Sequence, residues 1–349
     1  MSSCAIVGAG VSGLGAAWAL REASFPVTVF EKSRGFSGRA ATRGRQNVRY
    51  DHGANYFKTP TDRLRRLIQE QLPTEALTTI ERDVWTFTAD GTIHPGDREA
   101  NATTKWTYAN GISTLGKLLA CKSTATVERQ TRVGSVTPDD EQWVLHTTDG
   151  ARLGRFESVL LTPPAPQTVD ILCDLPIEAD WHEAVLAALH DVSYVSQFSV
   201  ILHFDRRLPL PDDYYALLNT DREHAVAWLG IENCKPGHVP EDQTVLVVQM
   251  APHWTERHFE ASTDRLVQAA TRHAGALLDI DMGAPSWTDT QRWRYALPTD
   301  RIPPEALQAA ERQGLFIAGD LRVGKGRVGR ALASGLDVAA AIRSYTLSE

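Results

Sequence analysis

The stretch CAIVGAGVSGLGAAWAL, Cys4 to Leu20, decides the fold. Its first four residues, Cys4 to Val7, are apolar and read as a buried strand. G-x-G-x-x-G follows at Gly8, Gly10 and Gly13, and then an alanine-rich helix. Glycines at this spacing permit a tight turn and let a pyrophosphate approach the backbone, where its charge meets the amides and dipole of the helix N-terminus, Ser12 among them. The next apolar run, PVTVFEK, ends on Glu31 and Lys32, with Glu31 18 residues past Gly13. A carboxylate at that strand end can bind both hydroxyls of a ribose. Strand, helix and acid in register predict an adenine-dinucleotide site.

Bulk properties narrow the alternatives. The chain has 349 residues, 42% of them hydrophobic and 23% charged, with a net charge of -7. It is long enough for two packed domains, and its acidity argues against a nucleic-acid partner. Cys4, Cys121, Cys173 and Cys234 form no C-x-x-C pair, so neither a zinc site nor a disulfide framework is expected. The histidines show no H-x-x-x-H spacing, so no metal is expected and most read as surface residues. No apolar run reaches the roughly 18 residues that cross a bilayer. Met1 to Leu20 lacks the basic start of a signal peptide. A soluble cytoplasmic protein without membrane contact is expected.

The chain alternates between two territories. TDRLRRLIQEQL (61–72) reads as an amphipathic helix, DVWTFTADGTIHP as a hairpin, and 96–104 as a polar loop. ATVERQTRVGSV, QWVLHTTDGARL and SVLLTPP read as a three-stranded meander. Helices are expected over 177–190 and 256–278, and strands over 194–204, 225–231, 244–250 and 287–294. Near the C-terminus LFIAGD supplies another apolar strand, ending at Gly319 and Asp320. GRVGRALASG, with Arg327, Val328 and Gly329, then opens a helix. A second glycine-rich turn so late in the chain is explained if the two turns hold opposite ends of one extended cofactor.

Two further elements carry a resemblance. EKSRGFSGRAATR (Glu31–Arg43) is similar to the R-x-G-G-R element of the flavin-containing amine oxidase superfamily, with Gly38 and Arg39 in place and Ser37 where the first glycine stands. YDHGANYF (Tyr50–Phe57) resembles its D-x-G-A-x-Y/F element, which lies along the isoalloxazine ring. The resemblance implies FAD. It places Arg39 near the pyrophosphate or flavin end, Ala54, Asn55 and Tyr56 along the ring, and the backbone of Val133 against adenine. Asp320 falls at the ribityl or pyrophosphate part, and the amides from Arg327 to Gly329 at flavin N1 and the C2 carbonyl. Arg43, Arg45 and Arg49 read as a solvated basic loop. No Cys or His follows His273, so the FAD is expected to be non-covalent. The implied fold is α/β: a discontinuous Rossmann-like FAD domain (1–60, 105–165 and 300–349) with a mixed α+β substrate domain (61–104 and 166–299), of the amine oxidase and p-hydroxybenzoate hydroxylase type.

AVAWLGIENCKPG (Ala225–Gly237), VVQMAPHWTERH (Val247–His258), QRWRYALP (Gln291–Pro298) and GRVGRALASGL together resemble bacterial renalase-like proteins over nearly the whole chain. That likeness implies an FAD oxidase of 2- and 6-dihydro isomers of NAD(P)H, yielding NAD(P)+ and hydrogen peroxide from O2. Gln249 stands where that family has a histidine and Gly329 where glutamate is frequent. Glu232-Asn233-Cys234 replaces a more serine-rich turn. These departures bear on the substrate. Hydride transfer asks little of side chains, so no acid-base residue is nominated. Tyr56, Trp228, Gln249 and Trp293 are the substrate-pocket candidates, for aromatic faces stack on a nicotinamide and an amide bonds its carboxamide. Three alternatives stand beside this reading: an amine oxidase, a desaturase, or a flavin-bound sensor without catalysis. Amine oxidases of the superfamily place a lysine near flavin N5, whereas Lys235 precedes Pro236-Gly237 and reads as a turn.

Overall fold

The computed structural model describes residues 3–173, 175 and 179–346. Residues 177 and 178, where the sequence starts a helix, lie outside them. The opening stretch forms β1 (Cys4–Val7), α1 (Val11–Ala19) and β2 (Val27–Glu31). β1 lies at the centre of a five-stranded parallel sheet. Ser158–Leu161 and then Leu315–Ile317 lie on one side of it, β2 and then Thr126–Arg129 on the other.

Parallel strands are covered on both faces, so they read as continuous apolar runs. The two-residue period divides each run between two cores. Ile6, Val29, Leu160 and Phe316 face α1 and the C-terminal helix Val328–Thr346. Val7, Phe30, Val159, Leu161 and Ile317 face the opposite layer, with Ile171, Leu172, Val185 and Leu189 from the helices Ala165–Leu172 and Asp180–His190.

The expected meander divides differently. Thr126–Arg129 and Ser158–Leu161 join the parallel sheet, and the antiparallel meander consists of Val133–Asp139, Gln142–Thr147 and Arg152–Phe156. Ser158–Leu161 is buried throughout, which suits a central parallel strand and not an edge of a small sheet. A seven-stranded sheet forms the second body. Its order is Trp287–Pro298, Tyr194–Phe204, Thr244–Met250, Val226–Ile231, Tyr214–Asn219, Asp83–Phe87 and Ile93–His94. The strand Tyr214–Asn219 was absent from the sequence expectation. The helix expected over 256–278 is two, Pro252–Arg257 and Thr263–Leu278, and the second is capped by Ser262, whose Oγ accepts from Arg265 N. Within 96–104 the chain makes one helical turn, Arg98–Ala102, because Asp97 caps it. Arg43, Arg45 and Arg49 lie on a hairpin of β3 (Thr42–Arg45) and β4 (Val48–Asp51).

Candidate active site

One cleft of about 2430 Å³ runs between the two bodies. Sixteen of the seventeen residues expected at the cofactor line it, as do Tyr56, Trp228, Gln249 and Trp293; the exception is Gly13. A Cβ at Gly13 would fall 2.1 Å from the Gly8 carbonyl oxygen, so this glycine lets α1 close onto the turn after β1 and does not form the wall. Gly10 is different. Its φ of -74° suits any residue, and an added Cβ meets no protein atom within 4 Å. The protein itself gives no reason for glycine there; a molecule lying against the turn does.

The rest of the turn supports such a molecule. α1 has no side-chain cap and no acid in its first turn, which leaves its N-terminal amides for an anion. Glu31 is buried at the end of β2 and accepts from the amides of Ala9 (2.8 Å) and Ser33 (2.7 Å). Those bonds hold its carboxylate at the cleft wall, with lone pairs left for ribose hydroxyls. Across the cleft Arg39 pairs with Asp320 at 2.8 Å and donates to the carbonyls of Tyr295 and Ala296 at 3.1 Å. This pair ties the turn after β2 to the last parallel strand. Turn, carboxylate and helix start together fit an extended FAD: Gly8 to Ser12 and Glu31 suit the adenosine diphosphate, and Asn55, Tyr56 and the start of the helix at Val328 suit the flavin.

At the far end the segment after β4 is clamped from the seven-stranded sheet. Trp293 donates from Nε1 to the His52 carbonyl at 2.9 Å and stacks on the His52 ring, centroids 5.5 Å apart and planes 10° from parallel. Gln249 Nε2 donates to the Gly53 carbonyl at 2.7 Å. Gln249 therefore positions the D-x-G-A backbone, leaving its Oε1 toward other partners. Tyr56 packs against Trp228 and Tyr215, centroids 6.2 and 6.4 Å away. Burial, and then the neighbouring Arg43 charge, lower the His52 pKa to about 4, so the ring is neutral at physiological pH. The Gly329 departure has a steric cause: any Cβ there would lie 2.5 Å from the Lys58 carbonyl oxygen.

Residues 6–71 match an NAD(P)-binding Rossmann-like domain, and residues 81–343 match flavin containing amine oxidoreductases. The chain belongs to the flavin containing amine oxidoreductase family. Solved structures of the same fold include a candidate protoporphyrinogen oxidase from Exiguobacterium sp. 255-15, at 16% identity and TM-score 0.79, covering 100% of this chain and 99% of that one. Cyclohexylamine oxidase from Brevibacterium oxydans IH-35A matches at 15% identity and TM-score 0.74, each chain covered completely. A putrescine oxidase bound to putrescine matches at 14% identity and TM-score 0.74, covering 98% of this chain and 99% of that one. Membership makes this chain a flavin-dependent oxidoreductase with FAD as its cofactor. Among the described residues no helix is long and apolar enough to cross a membrane.

Lys235 does lead into a turn, but is itself buried. It is 1% exposed, lies outside the cleft wall, and bonds Asp51 Oδ2 at 2.8 Å and Glu232 Oε1 at 3.0 Å. Buried His238 joins them, its Nδ1 2.9 Å from Glu232 Oε1 and its Nε2 3.0 Å from the Tyr108 carbonyl. Both partners only accept, so both ring nitrogens donate. Burial opposes the Glu232 charge, but Lys235 and then His238 outweigh it and lower that carboxyl's pKa. Asp51, Glu232 and His238 have the spacing of metal ligands, but the Lys235 ammonium bonds both carboxylates and takes the cation's place. Four of the eleven histidines, His52, His182, His203 and His238, are buried, exceptions to the expectation that most lie at the surface. Arg43 is also engaged, pairing with Asp289 at 2.8 Å and donating to Gln291 Oε1 at 2.6 Å. His52 and Asp51 carried a sequence signal, as the variable position and the acid of the D-x-G-A-x-Y element; Glu232, Lys235 and His238 carried none.

Proposed function

We propose that the protein is an oxidase of dihydronicotinamide dinucleotides, acting on 2- or 6-dihydro isomers of NAD(P)H. One observation carries the reading. In a chain of net charge -7, thirteen lysines and arginines line the cleft against four carboxylates, Glu31, Asp97, Asp170 and Asp320, with Asp289 behind the wall matching Arg43. Such a field attracts a polyanion and repels an ammonium ion. The FAD diphosphate accounts for only part of the excess. A second dinucleotide accounts for more, and an amine substrate for none.

FAD, when bound, accepts a hydride and passes both electrons to O2. The balance is dihydronicotinamide plus O2 and a proton, giving the nicotinamide cation and hydrogen peroxide. The chain's own residues bind and orient. The stacked His52 and Trp293 rings and the Tyr56 and Trp228 pair offer flat walls to a planar ring, and Gln249 holds the backbone beneath it. A neutral His52 adds no charge against the cation that forms. A rigid pocket presents one ring carbon, and a displacement of about 1 Å costs on the order of 100-fold in rate.

Anaerobic mixing of the holoprotein with 2-, 4- and 6-dihydro NAD(P)H and with a panel of amines tests this. Rapid bleaching of the flavin by the 2- or 6-isomer is expected, slow bleaching by the 4-isomer, and slower reduction in Trp293→Ala at full FAD content. Bleaching by amines and by no dihydronicotinamide overturns it in favour of the amine oxidase reading.

A further inference from the structure

We propose, resting on the dinucleotide reading above, that Lys58, Lys105 and Arg327 form a second anion subsite in the cleft, which holds the diphosphate of the substrate. Phe57 and Trp106 exchange both backbone hydrogen bonds across an antiparallel bridge, at 2.9 and 2.8 Å. Their neighbours Lys58 and Lys105 therefore stand opposite one another on the same face. Like charges so placed destabilise a strand pair. The arrangement is more costly because the Lys105 side chain is only 4% exposed, and its nearest partners are distant: the Asn101 carbonyl at 3.4 Å and Asp83 at 3.9 Å. All three cations line the cleft.

Arg327 completes the group. Burial first, then the charges of Lys105 and Arg327, lower the pKa of the Lys58 ammonium, with Asp97 opposing them. Neither nearby carboxylate neutralises the cluster. Asp97 caps the helix Arg98–Ala102 through the Ala100 amide at 2.6 Å, and Asp83 is half exposed. The Gly329 backbone, at the start of the long helix Val328–Thr346, lies against Lys58. Tyr56, two residues before Lys58, belongs to the aromatic wall, so an anion here is joined to a ring seated there. The site suited to the FAD diphosphate is a different one, at Gly8 to Ser12 on α1. A diphosphate between Lys58 and Lys105 relieves their repulsion and gives the buried ammonium close partners.

The test uses holoprotein, with Lys58→Gln and Lys105→Gln as separate variants; Lys58 is only partly buried, and glutamine can also donate the hydrogen bond it makes to the Ala100 carbonyl at 2.6 Å, so its variant retains the fold if the other does not. Inorganic pyrophosphate is titrated against the flavin spectrum. Flavin reduction is compared between a dihydronicotinamide dinucleotide and an uncharged N-benzyl dihydronicotinamide of the same ring isomer. Pyrophosphate should bind in a salt-dependent way and weaken about 10- to 100-fold in each variant, and the preference for dinucleotide over N-benzyl compound should fall by a similar factor. Unchanged pyrophosphate binding and an unchanged preference overturn the subsite while leaving the substrate reading intact. Variants that lose FAD in place of pyrophosphate also overturn it. Pyrophosphate binding that weakens as expected, with no reduction by either dihydronicotinamide, supports the subsite and overturns the substrate reading.

Discussion

Ser37→Gly should stabilise the protein. Ser37 occupies the place of the first glycine in R-x-G-G-R, and its φ is 82°, in the left-handed region. The backbone is held there because the Ser37 amide donates to the Ala9 carbonyl at 2.8 Å. A side chain in that region costs about 1–2 kcal/mol. The side chain is also buried, and its hydroxyl has no partner in the protein, at about 1–3 kcal/mol. Glycine returns about 0.4–1 kcal/mol through the entropy of the unfolded chain. The net gain is about 2 kcal/mol. With a melting entropy of about 2.1 cal/mol/K per residue, the 349 residues give about 0.7 kcal/mol/K, so Tm should rise by about 3 °C. Differential scanning calorimetry of flavin-stripped and flavin-loaded protein measures it. An unchanged or lower Tm in the stripped protein would falsify the strain argument. A gain confined to the stripped protein would assign the hydroxyl to a phosphate of FAD.

Glu31→Gln leaves one of the amides of Ala9 and Ser33 facing an NH2 group. It should cost about 1–3 kcal/mol in stripped protein and more in loaded protein, since the ribose bond is lost as well; equal losses in both refute the ribose role. Lys235→Met strands two buried carboxylates and should cost about 3–5 kcal/mol, lowering Tm by about 4–7 °C, whereas an unshifted melt contradicts the ion cluster. His52 titrates near 4 when folded and near 6.5 when unfolded, so the unfolded chain binds the proton first. Stability from this residue is full above about pH 6.5 and declines as pH falls toward 4, by at most about 3 kcal/mol. His52→Asn should flatten that part of the Tm-against-pH curve, and an equally steep curve refutes it.

What was legible in the sequence is what depends on neighbours along the chain. The first βαβ unit needs glycines a few residues apart and an acid one strand later, so CAIVGAGVSGLGAAWAL and Glu31 announce a dinucleotide turn without knowledge of the rest. The late LFIAGD strand could likewise be matched to it, because a parallel sheet buried on both faces demands apolar runs. Long-range pairing left no such trace. Lys58 and Lys105 become neighbours only through the Phe57–Trp106 bridge. Asp51, Glu232, Lys235 and His238 converge from separate strands and turns into one buried cluster. Lys235-Pro236-Gly237 has the local chemistry of a surface turn, and only the cost of burying a charge without its partner, met by Asp51 from 184 residues away, makes it a core residue.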